Sequence, residues 1–315
     1  MEARRLRPRY ELSLRPARGF SLLQTISTYS FGWQFDGRRG FIELCPEAVA
    51  ILSEDQGSII VKVYASSGSS CWEEELTRLS WRLGLEEDLG PYHSIARGDP
   101  LVGCIPRSMP GHRLRALSLW SSFLTAVCQQ NASFRQGWRM LYKLHLVAGD
   151  RYILETPSGR LVFLSEPRPG RLDAEKLRIA GLGYRAGTIM EGLRFKVHEL
   201  GCSEAERLRE IRGVGDYTYN LVKLLACRDY NSLPLDRWLR KLASEAYGVS
   251  ENDAGDEIKS RFREWSGLAA LHATIAFDAQ PLRRALERLR RGENCPGLDE
   301  PSPITLWRYM SLNTD

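Results

Sequence analysis

Apolar and polar positions alternate in short runs at the start of the chain. Tyr10 to Leu14 alternates residue by residue, and Ser58 to Tyr64 is β-branched and bounded by Gly57 and Ser66 to Gly68. Both predict strands, and the first hundred residues read as an antiparallel sheet. Trp72 to Leu83 instead has apolar residues at helical spacing with Gly84 as a stop, which predicts a helix crossing that sheet. A Gly- and Pro-rich loop, Gly98 to His112, follows. From Leu114 to Arg291 the period is helical with glycine-marked joints, predicting helices over 117–130, 133–144, 173–180, 186–195, 203–211, 216–227, 236–247 and 256–277. The expected class is α+β: an antiparallel sheet domain over 1–110, an all-α domain over 111–292, and a Pro-interrupted tail over 293–315 with a candidate docking segment, Ile304 to Tyr309.

Composition narrows the class. Of 315 residues, 43% are hydrophobic and 26% charged, as in soluble globular proteins, and no run approaches the ~20 apolar residues of a membrane span. The charged N-terminus lacks the apolar core of a secretory signal, so the expectation is an intracellular protein. Lys and Arg exceed Asp and Glu by 44 to 39, a net +5 that permits a polyanionic partner without requiring one. Seven cysteines with no C-x-x-C pair argue against a disulfide framework or zinc ribbon and for buried thiols in a reducing compartment.

The most informative stretch runs from Ser203 to Leu225. Ser203 with Glu206 forms a capping-box pattern, and Asp216 suits the first turn of the next helix. Between them Gly213-Val214-Gly215 makes a tight turn whose amides, at a helix N-terminus, could grip a phosphate without reading bases; the plain alternative is a helix–helix turn. Downstream, Leu233-Pro234-Leu235-Asp236-Arg237-Trp238 opens another helix, where Asp236 reads as an N-cap or as a functional carboxylate.

A G-V-G-x-Y-T hairpin followed by L-P-x-D-x-W resembles the helix–hairpin–helix DNA glycosylase superfamily. Leu177 to Ala186, reading L-R-I-A-G-L-G-Y-R-A, is similar to a stretch of the 8-oxoguanine DNA glycosylases. Cys128 to Ser133 falls where that family has its duplex-probing loop, and the strands of 10–65 with Ser30 to Trp33 resemble the sheet domain shared with the 3-methyladenine glycosylase II group. The resemblance implies an all-α glycosylase domain behind the sheet and a monomer acting on double-stranded DNA that carries a damaged base. It assigns Asp236 to catalysis, Gly213, Val214 and Gly215 to the phosphate grip, Asn131 to the plug that fills the duplex, and Tyr184 and Arg185 to its flank and the orphaned base. Local alternatives are a helix C-cap for Asn131 and a half-buried aromatic for Tyr184. Gln136 stands where the family has a second arginine.

Cleaving a base from deoxyribose builds positive charge at C1′, which a fixed anion stabilises. Asp236 at a helix N-terminus is expected to stay ionised, able to face the cation and to orient a water. Strand-cutting relatives carry a lysine two residues past the second hairpin glycine and nineteen before the aspartate; here that position is Tyr217. A tyrosine forms no Schiff base, so the expected enzyme is monofunctional, with Lys223, solvated or phosphate-facing, as the first place to look for lyase activity. Thr28 and Leu221 replace a glycine and a cysteine that contact 8-oxoguanine in that family, and Trp238 replaces a histidine. With Tyr217, Trp238, Leu221 and His272, which faces the base or is a satisfied core residue, the expected pocket is aromatic and suits an alkylated purine, a cation over π faces. Only Cys295 follows Cys227, which excludes the four-cysteine iron–sulphur cluster of some members; a monovalent cation at the Arg212 and Val214 carbonyls is implied by the resemblance alone. The rival readings are an 8-oxoguanine glycosylase with a displaced lysine, and a non-enzymatic DNA-binding protein. A pure binder has no need of Asp236 near a polyanion.

Overall fold

In a computed structural model, residues 3–298 and 301–312 are described. Strand β1 (Arg4–Leu14) is followed by α1 (Leu22–Ser27), by β2 (Gly40–Cys45), β3 (Ala48–Asp55) and β4 (Ser58–Ala65), and by α2 (Cys71–Leu83), α3 (Gly90–Ala96) and α4 (Ile105–Ser108). With β5 (Arg151–Thr156) and β6 (Gly159–Leu164), the six-stranded sheet has the order β2-β3-β4-β1-β5-β6. β1 pairs antiparallel with β4, Leu12 opposite Val61, and parallel with β5, Leu6 opposite Leu154. β3 is buried on both faces: Ala48, Ala50 and Leu52 pack with Leu79 and Leu83 of α2, while Val49 and Ile51 join the helical core around Trp120 and Phe123. That double burial is why its sequence is a continuous apolar run rather than an alternation.

The helical part comprises α5 (Leu119–Gln129), α6 (Phe134–Ala148), α7 (Ala174–Ile179), α8 (Arg185–Arg194), α9 (Asp216–Cys227), α10 (Arg237–Tyr247), α11 (Ala254–Phe262), α12 (Ser266–Ala276), α13 (Leu282–Arg290) and α14 (Leu306–Tyr309). Three expectations need correction. The stretch after residue 111 is not all-α, because β5 and β6 form a hairpin that extends the sheet from within it. The segment expected as one helix over 256–277 is two, broken at Arg263, whose φ of 49° leaves the helical region. Cys202–Glu210 is a 3₁₀ helix, and its capping contact is Glu204 Oε2 accepting from the Gly201 amide at 3.3 Å rather than a Ser203–Glu206 pair.

The tail docks as expected. Trp307 packs edge-on against Phe35 at 5.0 Å between ring centres, and the Tyr29 amide donates to the Pro303 carbonyl at 2.7 Å. The cysteine reading fails: Cys45–Cys71, Cys104–Cys295 and Cys202–Cys227 are disulfides, leaving Cys128 as a buried thiol among the described residues. Cysteines 25, 26 and 191 residues apart carry no short spacing signal; the fold brings their Cα atoms within 5.2–6.2 Å. Cys202–Cys227 clamps the 3₁₀ helix to the end of α9, and Cys104–Cys295 ties α4 to the segment beyond α13. No described helix is long and apolar enough to cross a membrane.

Thiol counting checks the staples. Unfolding without reductant should expose one reactive thiol per chain, and seven after reduction; seven without reductant would contradict the pairing. Because loop-closure entropy grows with loop length, removing Cys104–Cys295, with a separation of 191, should destabilise by about 2 kcal/mol more than removing Cys45–Cys71, with a separation of 26. Denaturant titration of the two double serine variants measures the difference.

Candidate active site

Pro234 directs the chain into α10, and Asp236 is its N-cap: extended at φ −94° and ψ 178°, with Oδ1 accepting from the Leu239 amide at 2.7 Å. The carboxylate borders a cavity of about 650 Å³. Burial pushes its pKa up, opposed by bonds from the Leu239 and Trp238 amides, and no described lysine or arginine pairs with it. The amides at the helix N-terminus favour the ionised form, as expected, while desolvation outweighs them and moves the pKa upward. A second carboxylate on the cavity, Asp278, is held by Arg288 at 2.7 Å. Asp236 is thus the anion that no side-chain cation neutralises.

Tyr217, Leu221 and Trp238 line the cavity as expected, with Thr28 also in its wall. The Tyr217 hydroxyl is pushed up by burial and then by the charge of Asp236, so the two groups face each other electrostatically. Trp238 Nε1 donates to the Gln280 carbonyl at 2.9 Å, which fixes its ring. Three further aromatic walls were not foreseen. Tyr29 stacks on Trp138 at 5.6 Å with 19° between planes and lies 6.4 Å from Phe134. Tyr29 has φ of 53°, a conformation rare for a bulky residue, imposed where the tail carbonyl of Pro303 holds its amide. No periodicity signals such a position. Of the two readings of His272 the core one holds and the pocket one is corrected: it is 1% exposed, lies outside the cavity lining, and bonds His112 and Tyr92.

The hairpin glycines have separate roles. Gly213 has φ of +93°, and a Cβ there would collide with Thr188 Oγ1. Gly215 has φ of −99° and a Cβ would meet nothing within 4 Å, so the protein itself leaves that approach open. Val214 packs against the core, and its amide donates to Ile211 at 3.0 Å. Gln130 Nε2 donates to the Gly213 carbonyl at 2.8 Å and to Thr218 Oγ1 at 2.6 Å, joining the hairpin to the loop after α5. In that loop Asn131, at φ 44°, reaches Tyr184 Oη at 3.3 Å, and Tyr184 is 65% exposed. Arg185 does not belong to this exposed tip: it is 6% exposed and donates to the carbonyls of Gln130, at 2.9 Å through Nε, and of Asn131, at 3.2 Å. It supports the loop that carries Asn131, and its burial is at odds with the expectation that it meets an orphaned base. Lys223 lies outside the cavity, its ammonium 3.0 Å from Asp229 and its pKa raised chiefly by that bond. Among the described residues no cluster of three or more His, Cys, Asp or Glu could hold a metal.

No protein-family profile and no curated protein matches the sequence. Solved structures do. The Clostridium acetobutylicum 8-oxoguanine glycosylase/lyase, in complex with double-stranded DNA containing cytosine opposite 8-oxoguanine, aligns with a TM-score of 0.64 at 18% identity, over 87% of this chain and 97% of that one. Its apo form gives 0.63 at 17% identity, over 87% and 99%. The 3-methyladenine DNA glycosylase from Archaeoglobus fulgidus gives 0.66 at 20% identity, over 84% and 97%. These two kinds of DNA glycosylase share one fold across nearly their whole lengths with this chain, and that is the fold to which it belongs.

Proposed function

We propose that the chain is a monofunctional DNA glycosylase, which as a single chain takes a modified base out of duplex DNA and hydrolyses its N-glycosidic bond. The observation that carries this reading is Asp236: a carboxylate without a cationic partner, on an aromatic cavity, one chain segment from a helix hairpin. A binding protein would gain by losing such a charge near a polyanion. Buried, the anion acts through a low dielectric on the positive charge at C1′. Its raised pKa also suits it to take a proton from the attacking water. Tyr29, Trp138 and Tyr217 offer faces on which a planar base stacks.

Tyr217 has no amine to form an imine with C1′, and Lys223 is held by Asp229 outside the cavity. Base release without strand cleavage follows. The amides at the start of α9, with Gly215 clear of any neighbour, fit a DNA phosphate, and Asn131 with Tyr184 fits the gap left by the base. The Arg212 and Val214 carbonyls accept no hydrogen bond from the described residues, which leaves them for a monovalent cation.

Single-turnover assays on duplexes carrying modified bases should give alkali-labile sites with the strand otherwise intact and no borohydride-trapped adduct. A strong adduct abolished by Lys223→Gln would contradict the monofunctional reading. Asp236→Asn should slow release about 10²- to 10³-fold. Asparagine keeps an oxygen for the Leu239 amide and removes a buried charge, so the melting temperature should hold or rise. An unchanged rate removes Asp236 from the chemistry.

Gly215→Val should leave the fold intact and weaken binding to all DNA sequences alike, with affinity falling as salt rises. Altered sequence preference at unchanged total affinity would show that the hairpin is not a phosphate grip.

A further inference from the structure

Behind the cavity lies a chain of polar groups that the reaction above does not use. The Tyr92 hydroxyl is 2.7 Å from His272 Nδ1, His272 Nε2 is 3.0 Å from His112 Nδ1, and the His112 ring lines the cavity while only 2% exposed. Among the described residues the Tyr92 hydroxyl has a single partner, so its hydrogen goes to His272 Nδ1. His272 then carries its own proton on Nε2 and donates it to His112 Nδ1. That leaves the His112 proton on Nε2, which has no partner among the described residues. The opposite ordering would strand the tyrosine hydrogen in the core, which costs more than any gain it brings. Burial pushes His112 down to about 3 and His272 well below its ordinary range, so both rings are neutral.

Arg115 adds a second unpartnered donor. It stands in the wall between this cavity and a neighbouring one beneath the sheet, with no hydrogen bond or ion pair among the described residues. Burial and then the nearby Arg82 push it down to about 10, which leaves it charged at neutral pH.

On the reading of the chain as a glycosylase, we propose that His112, oriented by His272 and Tyr92, donates a hydrogen bond from its Nε2–H to the flipped base and keeps the proton, and that with Arg115 it makes the site select neutral bases bearing a ring carbonyl over cationic alkylated ones. The chemistry of departure gives the reason. When the C1′–N bond breaks, its electron pair goes to the base. An alkylated cationic base leaves neutral, whereas a neutral base leaves as an anion whose charge spreads onto ring acceptors. Donors fixed on such an acceptor stabilise that charge. Water oxygen bonds C1′, its proton passes to Asp236, and the departing base collects a proton on release. A guanidinium in the wall opposes a base that arrives positively charged. This reverses the sequence-based expectation of an alkylated purine.

The test is single-turnover release by the full chain from duplexes containing hypoxanthine, 8-oxoguanine or 7-methylguanine, each divided by its uncatalysed rate. The wild type should accelerate at least one of the two neutral bases more than 7-methylguanine. His112→Phe should lower the ratio of neutral to cationic acceleration about 10- to 100-fold; His112→Gln, which keeps an N–H near the same place, should restore most of it, and Arg115→Met should move the ratio the same way. Tyr92→Phe frees His272 to reverse, so it should lower the ratio in the wild type and have no further effect on top of His112→Phe. Equal loss on neutral and cationic bases, or a wild-type preference for 7-methylguanine, overturns the proposal while leaving the glycosylase reading in place. Absence of release from every duplex overturns both.

Discussion

A half-buried carboxylate is held at the start of α10 by backbone amides alone, and much of the molecule is arranged around it. Leu239 and Trp238 supply the amides, Pro234 sets the entry angle, and α10 docks through Leu239, Leu242 and Ala243. The competition between desolvation and these bonds leaves the group raised yet ionisable. A cation beside it would relieve the cost and quench the field on which the proposed reaction draws. The contrast with Asp278, fixed by Arg288 on the same cavity, separates a paired carboxylate from one that no described side-chain cation holds.

The remaining parts hold surfaces around that charge. Cys202–Cys227 closes the two arms of the hairpin, Gly213 lets it turn against Thr188, and Gly215 keeps its tip clear. Gln130 joins the hairpin to the loop after α5, where Arg185 fixes the carbonyls of Gln130 and Asn131. On the opposite side the tail pins Tyr29 through Pro303. Cys104–Cys295, helped by Asn294 donating to the carbonyls of Asp99 and Pro100 at 3.2 and 3.0 Å, steadies the segment that delivers His112. Distant parts of the chain thus meet on one cavity.

Local signals explain what the sequence reveals. The hairpin, α9 and the Asp236 cap are legible because glycine, proline and capping chemistry act within a few residues. Tyr217, Leu221 and Trp238 are pocket residues because the resemblance, anchored on that hairpin and on Asp236, implies them, and they line the cavity. The β5–β6 hairpin carries a local signal that the helical periodicity on either side masks: Arg151 to Thr156 and Gly159 to Leu164 flank a two-residue turn, Pro157–Ser158. Tyr29, Phe134 and Trp138 face the cavity through tertiary packing that no period encodes. The same limit applies to the disulfides, since residues 191 apart in sequence are neighbours only once folded, and to the choice between His272 and His112, one ring deeper in the same chain of hydrogen bonds.

The central claim is that Asp236 acts as a buried anion, and the pH dependence of single-turnover base release, corrected for uncatalysed loss, tests it most directly. Protonation removes the anion, and burial raises the pKa, so activity should be present above that raised value and be lost as pH falls through it. The acid limb should therefore lie above the ordinary aspartate value of about 3.9 and be missing from the residual activity of Asp236→Asn. A limb at or below the ordinary value, or the same limb in the Asn variant, would contradict the account.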